Sequence, residues 1–175
     1  PPGWTDDHAN SNAVARFLIQ ATFGPSASDL AAVQALGYEG WINQQFAWYR
    51  ALWIECGELI EHYGYKWWKH QQPAWEHVKL EIVDIWHFGM SMRFDGASTP
   101  AQIAAGMLEE LRVNPPQPME LREAVEALAG RALVGREFAV GHFWSLLQAA
   151  GMTPDALFAA YVGKNVLNFF RQDHG

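Results

Sequence analysis

The chain has 175 residues, 19 acidic against 12 basic, for a net charge of −7, and half of its residues are apolar. That length and apolar share can build the core of about one domain, while the acid surplus excludes the phosphate-backbone attraction on which nucleic-acid polymers are bound. A single cysteine, Cys56, excludes an internal disulfide and a Cys-rich zinc site, and no apolar run approaches the roughly 18 residues of a membrane span; the expectation is a cytoplasmic protein with no membrane and no nucleic-acid polymer as partner.

Glycine and proline recur at helical intervals and no stretch alternates with period two, so the spacing predicts an all-α fold. A short amphipathic helix over 13–23 ends at Gly24-Pro25. Ser26 or Ser28 can cap a helix over 28–36 that stops at Gly37. A long helix over 41–63 ends at Gly64, and Pro73 opens a helix running to about Arg93. Thr99 as cap and Pro100 as first helical residue start a helix over 100–112. Helices over 118–133 and 137–150 follow, the second ended by Gly151, and Thr153-Pro154-Asp155 starts a last helix that runs to the terminus.

The helix at 76–92 is apolar almost all round, through Val78, Leu80, Ile82, Val83, Ile85, Trp86, Phe88 and Met92, which marks it as buried. Yet Glu81 and Asp84 stand three apart inside it, and His87 follows on the same side. Buried carboxylates cost several kcal/mol each when unpaired, so a cation has to meet them. The preceding helix repeats the pattern with Glu55 and Glu58. Four carboxylates facing one gap would suit a hard divalent cation such as Mg²⁺, which takes oxygen ligands; the structural alternative is an ion-pair network with Lys66, Lys69, Arg50 or Arg93. In the last helix, Lys164, Asn168 and Arg171 form one stripe of hydrogen-bond donors, against a purely solvated face as the alternative. Glu109-Glu110 and Glu120, Glu123 and Glu126 read as solvated, Cys56 as packing, and Trp53, Trp75, Trp86 and Trp144 as core or subunit-interface aromatics. His62, His70, His77 and His142 show no spacing that points to zinc.

The string Trp48-Tyr49-Arg50-Ala51-Leu52-Trp53-Ile54-Glu55-Cys56-Gly57-Glu58-Leu59, followed by His62-Tyr63-Gly64-Tyr65-Lys66-Trp67-Trp68-Lys69, resembles the all-α dimeric dUTPase family, part of the wider MazG-like nucleoside triphosphate pyrophosphohydrolases. The likeness continues through Glu81-Ile82-Val83-Asp84-Ile85-Trp86-His87-Phe88 and resumes from Tyr161 to Gly175, so it covers about 48–175. The resemblance implies a helical bundle, a homodimer, and hydrolysis of dUTP or dUDP to dUMP with release of pyrophosphate or phosphate. It implies Glu55, Glu58, Glu81 and Asp84 as ligands of two or more Mg²⁺ ions, for which Mn²⁺ can substitute, and Glu58 as the general base that orients the attacking water. Trp67 and His87 match positions lining the pyrimidine and sugar pocket. Lys66, Lys69, Lys164, Asn168 and Arg171 become candidate substrate-binding residues.

Residues 13–47 read differently. Ala15-Arg16-Phe17-Leu18-Ile19-Gln20-Ala21-Thr22-Phe23-Gly24-Pro25, then Leu36-Gly37-Tyr38 and Trp41-Ile42-Asn43-Gln44-Gln45-Phe46, resemble the start of a bacterial family of unknown function. The dUTPases carry a Gln and an Asn in their first helix that help recognise uracil; Leu30 and Gln34 lie near those places. The expected organisation is thus a helical segment of different origin over 1–47 and a dUTPase-like domain over 48–175, shortened at its C-terminus because the family's closing Tyr-Lys segment would follow Gly175. Three rival functions stay open: a MazG-like enzyme for dCTP or mixed nucleotides, a ferritin-like di-iron protein built on Asp84-x-x-His87, and a non-catalytic helical nucleotide-binding or interaction module.

Overall fold

The computed structural model describes residues 7–21, 27–45, 48–94 and 98–174, without the side chains of 18–21, 28–29, 41–45 and 168–174. Every element among the described residues is helical, so the fold is all-α as the spacing predicts. The chain divides into two compact units, Pro1–Ala47 and Trp48–Gly175.

The first unit holds α1 (Ser11–Ala21) and α2 (Ala27–Gln45). Asn10 Oδ1 accepts from the backbone N–H groups of Asn12 and Ala13, which satisfies donors that the first turn of α1 leaves open. The candidate cap Ser26 lies outside the described residues, and Ser28 is already the second residue of α2, so the helix begins ahead of it. Gly37 has φ 75° and ψ 169° and breaks α2 in mid-run, a conformation open to glycine for want of a Cβ. The break lets Tyr38 fold back beside Val14 and Val33 in a small core, with Phe17, Leu30 and Ala32 packed on it.

The second unit begins with α3 (Trp48–Tyr63). Of the single helix expected over 41–63, residues 41–45 are the end of α2 and Trp48–Tyr63 form α3, while residues 46–47 lie outside the described residues. Gly64, at φ 97°, ends α3 as expected. After a connection that turns at 67–69, where Lys69 N–H donates to the Lys66 carbonyl, α4 (Trp75–Ser91) begins two residues beyond Pro73.

Helices α3 and α4 pack antiparallel: the rings of His62 and His77 stack at 4.8 Å near one end, and those of Trp48 and Phe88 at 6.0 Å near the other. Leu52, Cys56 and Leu59 from α3 and Val78, Ile82 and Ile85 from α4 are buried along this seam. Each fully buried Leu or Ile contributes about 1.5–3 kcal/mol of transfer free energy. Burial also pushes the Cys56 thiol up to about 12, so this cysteine is a packing residue and not a thiolate nucleophile.

The remaining helices close the core. α5 (Pro100–Val113) starts with a reciprocal cap between Thr99 and Gln102, and Pro100 takes the first turn. α6 (Leu121–Gly130) is capped by Glu120 and Glu123 and runs into a π-turn over Arg131–Gly135, which ends at Arg136 with φ 51°. Phe138 then enters the core, and α7 (Val140–Ala149) buries Phe143, Leu146 and Leu147. Trp86 lies 5.1 Å from the Phe143 ring and stacks on Trp144 at 5.7 Å, whereas Trp53 and Trp75 are exposed. α8 (Pro154–His174) opens with Thr153 Oγ1 accepting from Ala156 N–H and packs back on α4.

Three expectations need correction. Glu110 is not a solvated residue: it is half-buried, takes Arg93 at 2.6 Å and accepts the backbone N–H of Val140 at 2.9 Å. It thereby caps α7 from another helix, and α7 starts at 140 and not at 137. The helix expected over 118–133 likewise starts at 121, where the Glu120 cap forms.

Candidate active site

The antiparallel register of α3 and α4 sets Glu55 opposite Glu81 and Asp84. One oxygen from each of these three carboxylates lies within 4.8 Å of the others. Glu81 is buried, and Glu55 and Asp84 are half-buried. Burial, followed by the neighbouring Glu81, Asp84 and Glu58 carboxylates, pushes the Glu55 carboxyl up to about 7 from its ordinary 4.5. Glu58 lies one turn further along α3, where it is exposed and stands outside the three-carboxylate group.

The cations that could have neutralised this group are engaged elsewhere. Lys66 pairs with Glu61 and Arg93 with Glu110, while the Arg50 guanidinium lies 5.5 Å from the Tyr49 ring. The cation that does arrive is Lys164 of α8, whose ammonium pairs with Asp84. On the other flank, His62 Nε2 lies 3.3 Å from Glu81 Oε1. Among the described residues, three converging carboxylates against one lysine leave surplus negative charge and oxygen donors only, the donor set a hard divalent cation takes.

Beside Asp84, helices α4 and α8 enclose a small cleft of about 30 Å³ lined by Val83, Asp84, His87, Tyr161, Lys164 and Asn165. His87 Nδ1 is 3.4 Å from the Tyr161 hydroxyl, and Asn165 Nδ2 donates to the Tyr161 carbonyl. Asp84, His87 and Lys164 thus meet in one place although Asp84 and Lys164 are eighty residues apart in sequence. The side chains of Asn168 and Arg171, further along α8, lie outside the described residues.

Lys66, Trp67 and Lys69 are not gathered around the carboxylates. They line another cavity of about 460 Å³ together with Tyr63, Tyr65, Gln71 and Arg122. There Arg122 donates twice to the Gly64 carbonyl, at 3.0 and 2.7 Å, and stacks over Tyr63. Gln71 Oε1 accepts from Lys66 N–H at 2.8 Å. The Trp67 side chain stands almost wholly in solvent, 90% exposed.

Sequence reasoning missed three residues at the carboxylate centre. His62 lies seven residues beyond Glu55, hence on the same face of α3, and that spacing was the available signal. Tyr161 stands three residues before Lys164 and four before Asn165, but nothing local says that they face His87.

Residues 33–175 match the family model for dUTPase. The chain belongs to the dUTPase family. The match spans most of the chain and includes the helix pair that carries the three carboxylates. It begins within α2, ahead of the motif-bearing stretch that starts at Trp48. No curated protein matches the chain. Family membership associates this dUTPase-family chain with nucleotide hydrolysis of the pyrophosphatase type, and among the described residues no helix is long and apolar enough to cross a membrane.

Proposed function

We propose that this chain hydrolyses dUTP, and dUDP, to dUMP with release of pyrophosphate or phosphate, using Mg²⁺ held by Glu55, Glu81 and Asp84 with Glu58 beside them. The observation that carries the reading is the convergence of three carboxylates from two helices in a member of the dUTPase family. A bound divalent cation would offset the polyphosphate charge and acidify a water there. The residues divide the remaining work. Glu58 is exposed, so its carboxylate is open to solvent, and it is assigned the proton of the water that attacks the α-phosphorus. The attack forms the new P–O bond and breaks the one to the bridging oxygen, on which pyrophosphate departs. Lys164, Asn168 and Arg171 on α8 are assigned to phosphate and sugar oxygens and His87 to the base and sugar, whereas Lys66, Trp67 and Lys69, which line a separate cavity, are given no part in this site. We also read the chain as a homodimer; exposed Leu108, Phe158 and Val166 offer apolar surface for such contacts, and light scattering on the purified protein tests it.

The test of the activity is pyrophosphate release from dUTP, dCTP, dTTP and dATP, each with and without Mg²⁺. The expected result is Mg²⁺-dependent turnover with dUTP preferred. Equal rates on all four would replace this reading with a broad pyrophosphohydrolase, and tight binding of a non-hydrolysable dUTP analogue without any release would replace it with a binding module.

A further inference from the structure

We propose that Lys164 is the resident counter-cation of the carboxylate centre, and that it leaves Asp84 when a divalent cation binds there, which frees its ammonium for phosphate. The inference rests on the metal reading of Glu55, Glu81 and Asp84 given above and adds to it a coupling between that centre and α8.

The three acids meet at half-buried to buried positions, and the ammonium that reaches them comes from α8, by its pair with Asp84. Lys164 is itself half-buried in the cleft with His87, Tyr161 and Asn165. An ammonium is a compact charge with three donors and no preferred planar partner, on a flexible stem of four carbons. It can therefore exchange a carboxylate oxygen for a phosphate oxygen without moving its backbone far. A divalent cation and the ammonium draw on the same Asp84 oxygens, so each weakens the hold of the other. Linkage then makes the effect reciprocal: whatever removes the lysine charge tightens the metal, and whatever binds the metal releases the lysine.

The consequence separates this role from two simpler ones. A lysine that served phosphate alone would leave metal affinity untouched when no nucleotide is present. A lysine that served structure alone would, when removed, loosen the helix pair and weaken the metal. A resident competitor gives opposite signs for the two ligands, tighter metal and weaker nucleotide.

The experiment is Mn²⁺ binding by calorimetry to the full chain without nucleotide, comparing wild type, Lys164→Gln and Lys164→Arg, followed by binding of a non-hydrolysable dUTP analogue at saturating Mn²⁺. For Lys164→Gln the Mn²⁺ Kd falls about three- to tenfold, the scale of one partly exposed ion pair, while the nucleotide analogue binds about tenfold more weakly. Lys164→Arg keeps the charge and stays near the wild-type Mn²⁺ affinity. An unchanged or weaker Mn²⁺ affinity in folded Lys164→Gln overturns the proposal. Should that variant fail to fold, acylation of the wild-type Lys164 amine, followed by mass spectrometry, decides: it speeds up on adding Mn²⁺ as the pair opens, and an unchanged rate overturns the proposal. Wild-type protein that binds no Mn²⁺ overturns the metal reading and this inference together, whereas wild-type binding without tightening in Lys164→Gln overturns the role of the lysine alone.

Discussion

Replacing Glu55 by glutamine removes one negative charge from the carboxylate cluster while keeping the side chain's length and its ability to hydrogen-bond Glu81. In the metal-free protein the Glu55 carboxyl sits at about 7 against an ordinary 4.5, chiefly because of burial and then because of its acidic neighbours. The folded chain therefore holds this proton more tightly than the unfolded chain does. Between pH 4.5 and 7 the folded state binds more protons, so stability falls as pH rises through that window, and the loss is complete above it. The full difference is worth at most ~3.4 kcal/mol at 1.36 kcal/mol per pH unit; because Glu55 is only half-buried, solvent screening brings it to about 1–2 kcal/mol. Glu55→Gln in EDTA should thus be more stable than wild type by about that much at pH 8 and equal to it near pH 4.5. Thermal melts of both proteins at pH 5, 6, 7 and 8 measure the difference, with each kcal/mol moving the midpoint by about 2–4 °C. Adding Mg²⁺ should reverse the order at pH 8, since wild type gains the binding free energy and the variant gains less. A wild-type-minus-variant difference that stays flat from pH 5 to 8 would refute the electrostatic reasoning, because groups that do not interact with Glu55 cancel in that subtraction.

Two further outcomes follow from side-chain placement. Glu58→Gln should abolish turnover while leaving the melting midpoint within about 1–2 °C of wild type, as expected of an exposed position; normal pyrophosphate release from this variant would remove Glu58 from the general-base role. Glu110→Ala should cost about 2–4 kcal/mol, since it strips Arg93 of its carboxylate and leaves the Val140 N–H without an acceptor, and urea denaturation showing a loss under 1 kcal/mol would mean that water replaces both contacts.

The helix boundaries that the chain writes locally were readable and the others were not. Thr99-Pro100, Gly64 and Thr153 act through backbone groups within a few residues, and each stands where the spacing put it. The start of α7 is set by Glu110, thirty residues away, and so has no local mark. Within the site, Glu81 and Asp84 were legible because two acids in an otherwise apolar helix contradict their surroundings. Lys66 and Arg93 were plausible partners by proximity in sequence, but their charges are taken up by Glu61 and Glu110.

Sequence alone determined that the chain is helical, that two helices each carry a pair of acids on one face, and that a donor-bearing helix follows at the end. Those are consequences of a 3.6-residue period, which fixes the relative direction of side chains a few positions apart. Only the tertiary structure decided which faces meet: that Glu55 stands against Glu81 and Asp84 while Glu58 remains in solvent, that Lys66, Trp67 and Lys69 line a different cavity, and that the ammonium reaching the acids belongs to Lys164. The register of α3 on α4 and the return of α8 onto α4 are set by packing of the whole apolar core, and no local spacing encodes them.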